Sequence, residues 1–254
     1  MIRSISGSLW GRFIHFSSLP HWGGGEKLQL QRPIFRNENR CRSIAGAIKS
    51  AIAALLAGMI VAGPATAEDG HSGYALKGFR SAHFGMSMTQ VRAAIAKDFK
   101  LRGSAIEESV VAVGRTPILA VKIGSLFSQS GGAEVAYLFG YKSQKLVQVS
   151  VLWAEQTDPG LTSSVLRVDG AILQHYFLGL GYPPKQVVVN GVTANGLILF
   201  QGTDSQGHAA VLLLQGEISK PSGGQTVLKP EVLRLEYVAD PQHPDVMKSL
   251  AGQF

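Results

Sequence analysis

Two arginines and a histidine stand close together in GFRSAHFGMSMTQVRAAIAKDF, residues 78–99: Arg80, His83 and Arg92. A guanidinium offers a rigid fork of donors that matches a carboxylate or a phosphate, and an imidazole adds a further donor and a charge when protonated. The chemistry of such a group is the holding of an acidic partner or ligand, and these three are the candidate binding residues. Arg92 directly follows Val91, so it belongs at the edge of an apolar helical stripe, with its stem over the core and its charge in water.

Other chemistry finds less support. His71, His83, His175, His208 and His243 show no H-x-H or H-E-x-x-H spacing, so neither a metal nor another cofactor is expected. The only cysteine, Cys41, lies near the N-terminus, preceded by Glu38-Asn39-Arg40 where a lipoprotein signal needs an apolar stretch. No nucleophile elbow, phosphate loop or dinucleotide turn follows it, and GLGYPP (179–184) ends a helix where a phosphate loop opens one. Asp98, Glu107 and Glu108 are near neighbours in sequence but read as solvated charge. A catalytic triad is recognised by geometry and not by order, so a hydrolase acting on an envelope polymer stays open as an alternative.

The elements that must position the three candidates come next. Ser87 is an N-cap, Gln90 completes a capping box, and Met86 can staple to Val91. Val91, Ala94, Ile95 and Phe99 then share one face of a helix ending near Phe99. The segment FGMSMTQVRAAIA resembles the recurrent Gly-Met-Ser/Thr-x-x-x-Val stretch of small exported bacterial domains, notably the SmpA/OmlA family of outer-membrane assembly lipoproteins. The tandem helix-plus-sheet layout is similar to the β-lactamase inhibitor protein fold. The resemblance spans about a dozen residues, from Gly85 to Ala96. It implies an exported interaction domain and carries no binding residues with it.

Strand-like runs follow at 108–113, 117–124, 133–141 and 145–154. In the last, Val147, Val149, Val151 and Trp153 alternate with Gln148, Ser150 and Leu152, the period of a half-buried strand. Tyr137, Phe139 and Tyr141 share one face of their strand, yet Ala136, Leu138 and Gly140 opposite are apolar too, so this strand is either covered on both sides or presents a partner surface. A second helix begins near Thr162, with Val165, Asp169, Ile172, Leu173, Tyr176, Phe177 and Leu180 at helical spacing, and Gly181 and Pro183-Pro184 to stop it. Further strands are expected at 185–189, 195–202, 208–216 and 231–239. The expected fold class is α+β: two helix-plus-four-strand halves, about 78–155 and 160–240, forming an antiparallel sheet with helices packed on one face.

Charge and targeting bound the function. The net charge of +7 sits at the front: residues 1–67 hold eight of the 24 Lys+Arg and two of the 17 acids, leaving sixteen bases against fifteen acids. The later chain therefore has no charge excess that points to nucleic acid. Arg40, Arg42 and Lys49 precede the apolar run 51–63, followed by Pro64 and Ala65-Thr66-Ala67. That layout is a secretory signal, with cleavage after Ala67, and the run falls short of the roughly 20 residues that span a bilayer. Residues 1–39 read as an unstructured extension or a misplaced start, 40–67 as the signal, and 68–254 as the mature domain. The expected product is exported, periplasmic if the source is Gram-negative, without a permanent membrane anchor. Its expected function is non-enzymatic, the binding of a protein or cell-envelope component. The alternative is a small-ligand carrier with its ligand between sheet and helices.

Overall fold

Val147 to Trp153, with its apolar-polar alternation, forms part of a strand at the middle of a large sheet. The structure, a computed structural model, describes residues 3–5, 73–111, 115–128, 130–220 and 226–246. The basic region, the apolar run and the cleavage step of the expected signal all lie outside the described residues.

The strands are β1 (Arg3–Ile5), β2 (Gly78–Phe79), β3 (Ala82–His83), β4 (Glu107–Val111), β5 (Thr116–Ile123), β6 (Ala133–Phe139), β7 (Leu146–Ala154), β8 (Val187–Thr193), β9 (Gly196–Thr203), β10 (Ala209–Ser219) and β11 (Val227–Val238). The helices are α1 (Met88–Phe99) and α2 (Ser163–Leu178). The main sheet runs β1-β4-β5-β6-β7-β11-β10-β9-β8, and β2 and β3 form a separate small hairpin. Every pairing in the main sheet is antiparallel except that of β1 with β4.

Register carries the apolar residues of five strands into rows on one face. Leu119, Tyr137, Val149, Tyr237 and Ala210 form one row, and Val121, Val135, Val151, Leu235 and Leu212 form the next. All ten are buried, and α1 and α2 add Val91, Ile95, Leu166, Leu173 and Phe177 to the same core. The opposite face buries a smaller apolar set, Val111, Ile118, Ala120, Ala136 and Leu138. The strand β6 is thus covered on both sides, which decides between the two readings of its aromatic and apolar alternation. The same face holds a polar cluster in which Glu236 accepts from Gln148 (2.7 Å) and Ser150 (2.8 Å), with Arg234 Nε 3.7 Å away.

The expected fold class needs correction. Among the described residues the chain is mostly β, with two α-helices against a sheet of eight antiparallel strands, joined in parallel by β1, and a two-stranded hairpin, and it does not divide into two helix-plus-four-strand halves. Val232–Val238 of β11 pairs with Gln148–Ala154 of β7, so the strands on either side run on as one continuous sheet. The helices are also unlike in their packing: α2 lies on β9, β10 and β11, whereas α1 lies against β3 of the small hairpin. A repeated helix-then-strands pattern encodes local structure alone. Which face each helix covers is set by tertiary packing, and that differs between α1 and α2.

Candidate functional site

The segment from residue 73 to 87 is an arm laid over the apolar face and held mostly by its backbone. Tyr74 N–H donates to Gly181 O (3.3 Å), Leu76 N–H to Asp204 Oδ2 (2.8 Å), Ser81 N–H to Asp98 Oδ2 (2.9 Å) and Gly85 N–H to Leu146 O (2.9 Å). Between these ties the chain reverses through β2 and β3, with Arg80 at φ +52° in the turn. Gly78, at φ +135°, lies where a Cβ would run into the Ala82 carbonyl. Glycine is the residue that meets both demands. The arm then enters α1 through the capping box, with Ser87 Oγ accepting from Gln90 N–H and Gln90 Oε1 accepting from Ser87 N–H.

Between this arm, the 126–127 loop and α2 lies an open cleft of about 540 Å³. Leu235 and Tyr237 of β11 line it, as do Tyr74 and Phe79 from the arm, Phe127 from the loop, and Ile172, Leu173 and Tyr176 from α2. Lys77, Arg80 and His83 also line it, and among the described residues no aspartate or glutamate does. The size falls within the roughly 300–1,000 Å³ of small-molecule sites. Aromatic contacts tie the cleft to the core, with Phe79 and Tyr237 rings 5.6 Å apart, Phe177 and Tyr237 6.1 Å, and Tyr74 and Tyr182 4.8 Å. Burial pushes the phenols of Tyr74 and Tyr237 above the ordinary tyrosine range, so both stay neutral donors near neutral pH.

Of the three nominated residues, the structure brings two to this cleft and leaves one elsewhere. Arg80 Nη2 donates to Leu126 O at 2.9 Å, and its guanidinium lies 4.9 Å from the Phe99 ring centroid and 5.8 Å from that of Phe79. It therefore anchors the turn as well as lining the cleft. His83 is exposed, and its ring has no hydrogen-bond or ion-pair partner among the described residues. Arg92 is paired with Glu108 and borders a separate groove of about 480 Å³ shared with Lys97, Lys100 and Arg102. The carboxylates near one another in sequence have different tasks: Asp98 holds the arm and Glu108 holds Arg92.

Lys77, Tyr74, Phe127, Ile172 and Tyr176 were not singled out from sequence as binding residues. On α2 the buried face is Leu166, Asp169, Leu173 and Phe177, and a second stripe, Val168, Ile172 and Tyr176, is exposed. Three large apolar residues at i, i+4 and i+8, beside a stripe that already suffices for the core, are the signal that marks this wall.

The remaining histidines are dispersed. His175 is exposed on α2, His208 Nδ1 lies 3.3 Å from Asp204 Oδ2, and His243 Nδ1 lies 3.3 Å from Asp240 Oδ2. His71 lies outside the described residues. Among the described residues, no three His, Cys, Asp or Glu side chains are grouped so as to hold a metal, and no helix is long and apolar enough to cross a membrane.

No protein-family model matches this sequence, and no curated protein or solved structure matches it.

Proposed function

We propose that this chain is an exported, non-enzymatic binding protein and that the cleft between the arm and α2 is its recognition site. One observation carries the proposal: an open cleft with an apolar, largely aromatic lining, basic side chains on one wall and no carboxylate among the described residues that line it. Apolar lining with a few convergent polar groups is the general make-up of ligand sites. The backbone ties from Asp98 and Asp204 keep the arm in place before a ligand arrives, which lowers the ordering cost of binding. Export rests on the basic region, apolar run and Ala65-Thr66-Ala67 step, and on the resemblance of the Gly85–Ala96 segment to exported interaction domains.

A second reading, docking of an apolar segment of a protein or envelope component, is favoured by the Val168-Ile172-Tyr176 stripe, which continues outward from the cleft wall. Photo-crosslinking tests the site itself. The full chain carries p-benzoylphenylalanine at position 176 or, as a control, at the exposed edge-strand position 192, and is illuminated in an extract of its source cells. A discrete adduct from position 176 and none from 192 is the expected result. Equal labelling from both positions contradicts it.

A further inference from the structure

The charged side chains of the arm narrow the ligand's chemistry. Resting on the cleft as the recognition site, we infer that it takes a small anionic amphiphile, with its carboxylate or similar head against Lys77 and His83 and its apolar body along Ile172 and Tyr176.

Lys77 and His83 are exposed, and neither side chain has a hydrogen-bond or ion-pair partner among the described residues. Arg80 spends one donor on the Leu126 carbonyl and rests against Phe99, which fixes its charge at the same rim. Two carboxylates close to the arm are committed to backbone amides and stand outside the lining. Asp98 is engaged by the Ser81 amide and Asp204 by the amides of Leu76, Gln206 and His208, and neither lines the cleft. The basic groups thus face an opening that no carboxylate of the described residues lines, and a ligand can supply the counter-charge there.

The opposite wall sets the other half of the specificity. Ile172 is 49% and Tyr176 56% exposed, on a helix whose core-facing stripe is separate and complete. An apolar body laid on this wall removes that surface from water. A fully hydrophilic anion leaves the wall wet, a neutral apolar molecule leaves the basic rim unanswered, and a cation is repelled by it. The cleft volume suits a small molecule better than a protein face, which buries about 800 Å² on each partner.

The test is calorimetric titration of the full chain with three ligands that share one chain and differ in head group: octanoate, octan-1-ol and octyltrimethylammonium. Octanoate is expected to bind one-to-one and about ten-fold or more tighter than the alcohol, since its head gains charge-assisted hydrogen bonds. The ammonium is expected to bind more weakly than the alcohol. Lys77→Gln with His83→Gln is expected to bring octanoate down to the alcohol's affinity, with circular dichroism showing that the variant is folded. Ile172→Asp on the opposite wall is expected to abolish both. Equal binding of acid and alcohol, unmoved by the double variant but lost in Ile172→Asp, overturns the anionic ligand and leaves the cleft as a site. No saturable binding of either overturns the inference and the cleft as a small-ligand site together.

Discussion

Asp204, almost wholly buried in the turn between β9 and β10, accepts the backbone N–H of Leu76 at 2.8 Å across 128 residues of sequence. The same carboxylate takes the amides of Gln206 at 2.8 Å and His208 at 2.9 Å, so one side chain shapes its own turn and fastens the arm. Asp204→Ala strips three donors of a charged acceptor and is expected to cost about 3 kcal/mol in denaturant unfolding. Asp204→Asn keeps an acceptor oxygen and is expected to cost less.

Gly78 sets the shape of the arm's hairpin. An alanine there combines a positive φ with a clash against the Ala82 carbonyl, an expected cost of about 1–3 kcal/mol. Because β2 and β3 stand apart from the main sheet, the damage is expected to stay local. Amide hydrogen exchange should show protection lost at residues 78–83 and kept in β6 and β7.

These two anchors also show where sequence reasoning stops. The capping box at Ser87 and Gln90 and the alternation in β7 were legible because each is a short-range code: a side chain meeting a backbone group three residues away, or a period of two. The β2–β3 hairpin was not, since Arg80-Ser81 lacks the Asn-Gly or Asp-Gly chemistry that announces a tight turn, and Arg80 enters positive φ through tertiary support from Phe99 and Leu126. The tie from Asp204 to Leu76 joins residues with no shared pattern. The pairing of β7 with β11, which sets the strand order within the expected single antiparallel sheet, was equally hidden. Arg80 and His83 were found because charge near a helix start is visible in sequence, while Ile172 and Tyr176 fell into one helical spacing with Leu173 and Phe177, because helical periodicity does not say which of two apolar stripes a sheet will cover.

The cap of α1 offers a calibrated test. Ser87→Ala removes the Oγ that accepts from Gln90 N–H and is expected to destabilise by about 1 kcal/mol, with the helix content of the folded state unchanged by circular dichroism.

Asp169 predicts a pH dependence. It is buried on α2 with Oδ2 lacking a hydrogen-bond partner, and burial, partly offset by the Gly131 amide, holds its carboxyl above the ordinary range. A raised folded-state value favours the protonated form, so its stabilisation is full below the unfolded carboxylate range and is lost as pH rises through the folded value. Asp169→Asn is expected to melt at a higher temperature than wild type near roughly pH 7, and the gap should close near roughly pH 3. A gap that widens toward acid contradicts this assignment.

The most direct test of the cleft is amide NMR of the isotopically labelled full chain titrated with octanoate. Saturable shifts confined to residues 74–83, 126–127 and 172–176 are the predicted result. Shifts that gather instead on the β8 edge or on the projecting ends of β10 and β11 around Ile218 and Val227, with the arm silent, would contradict it.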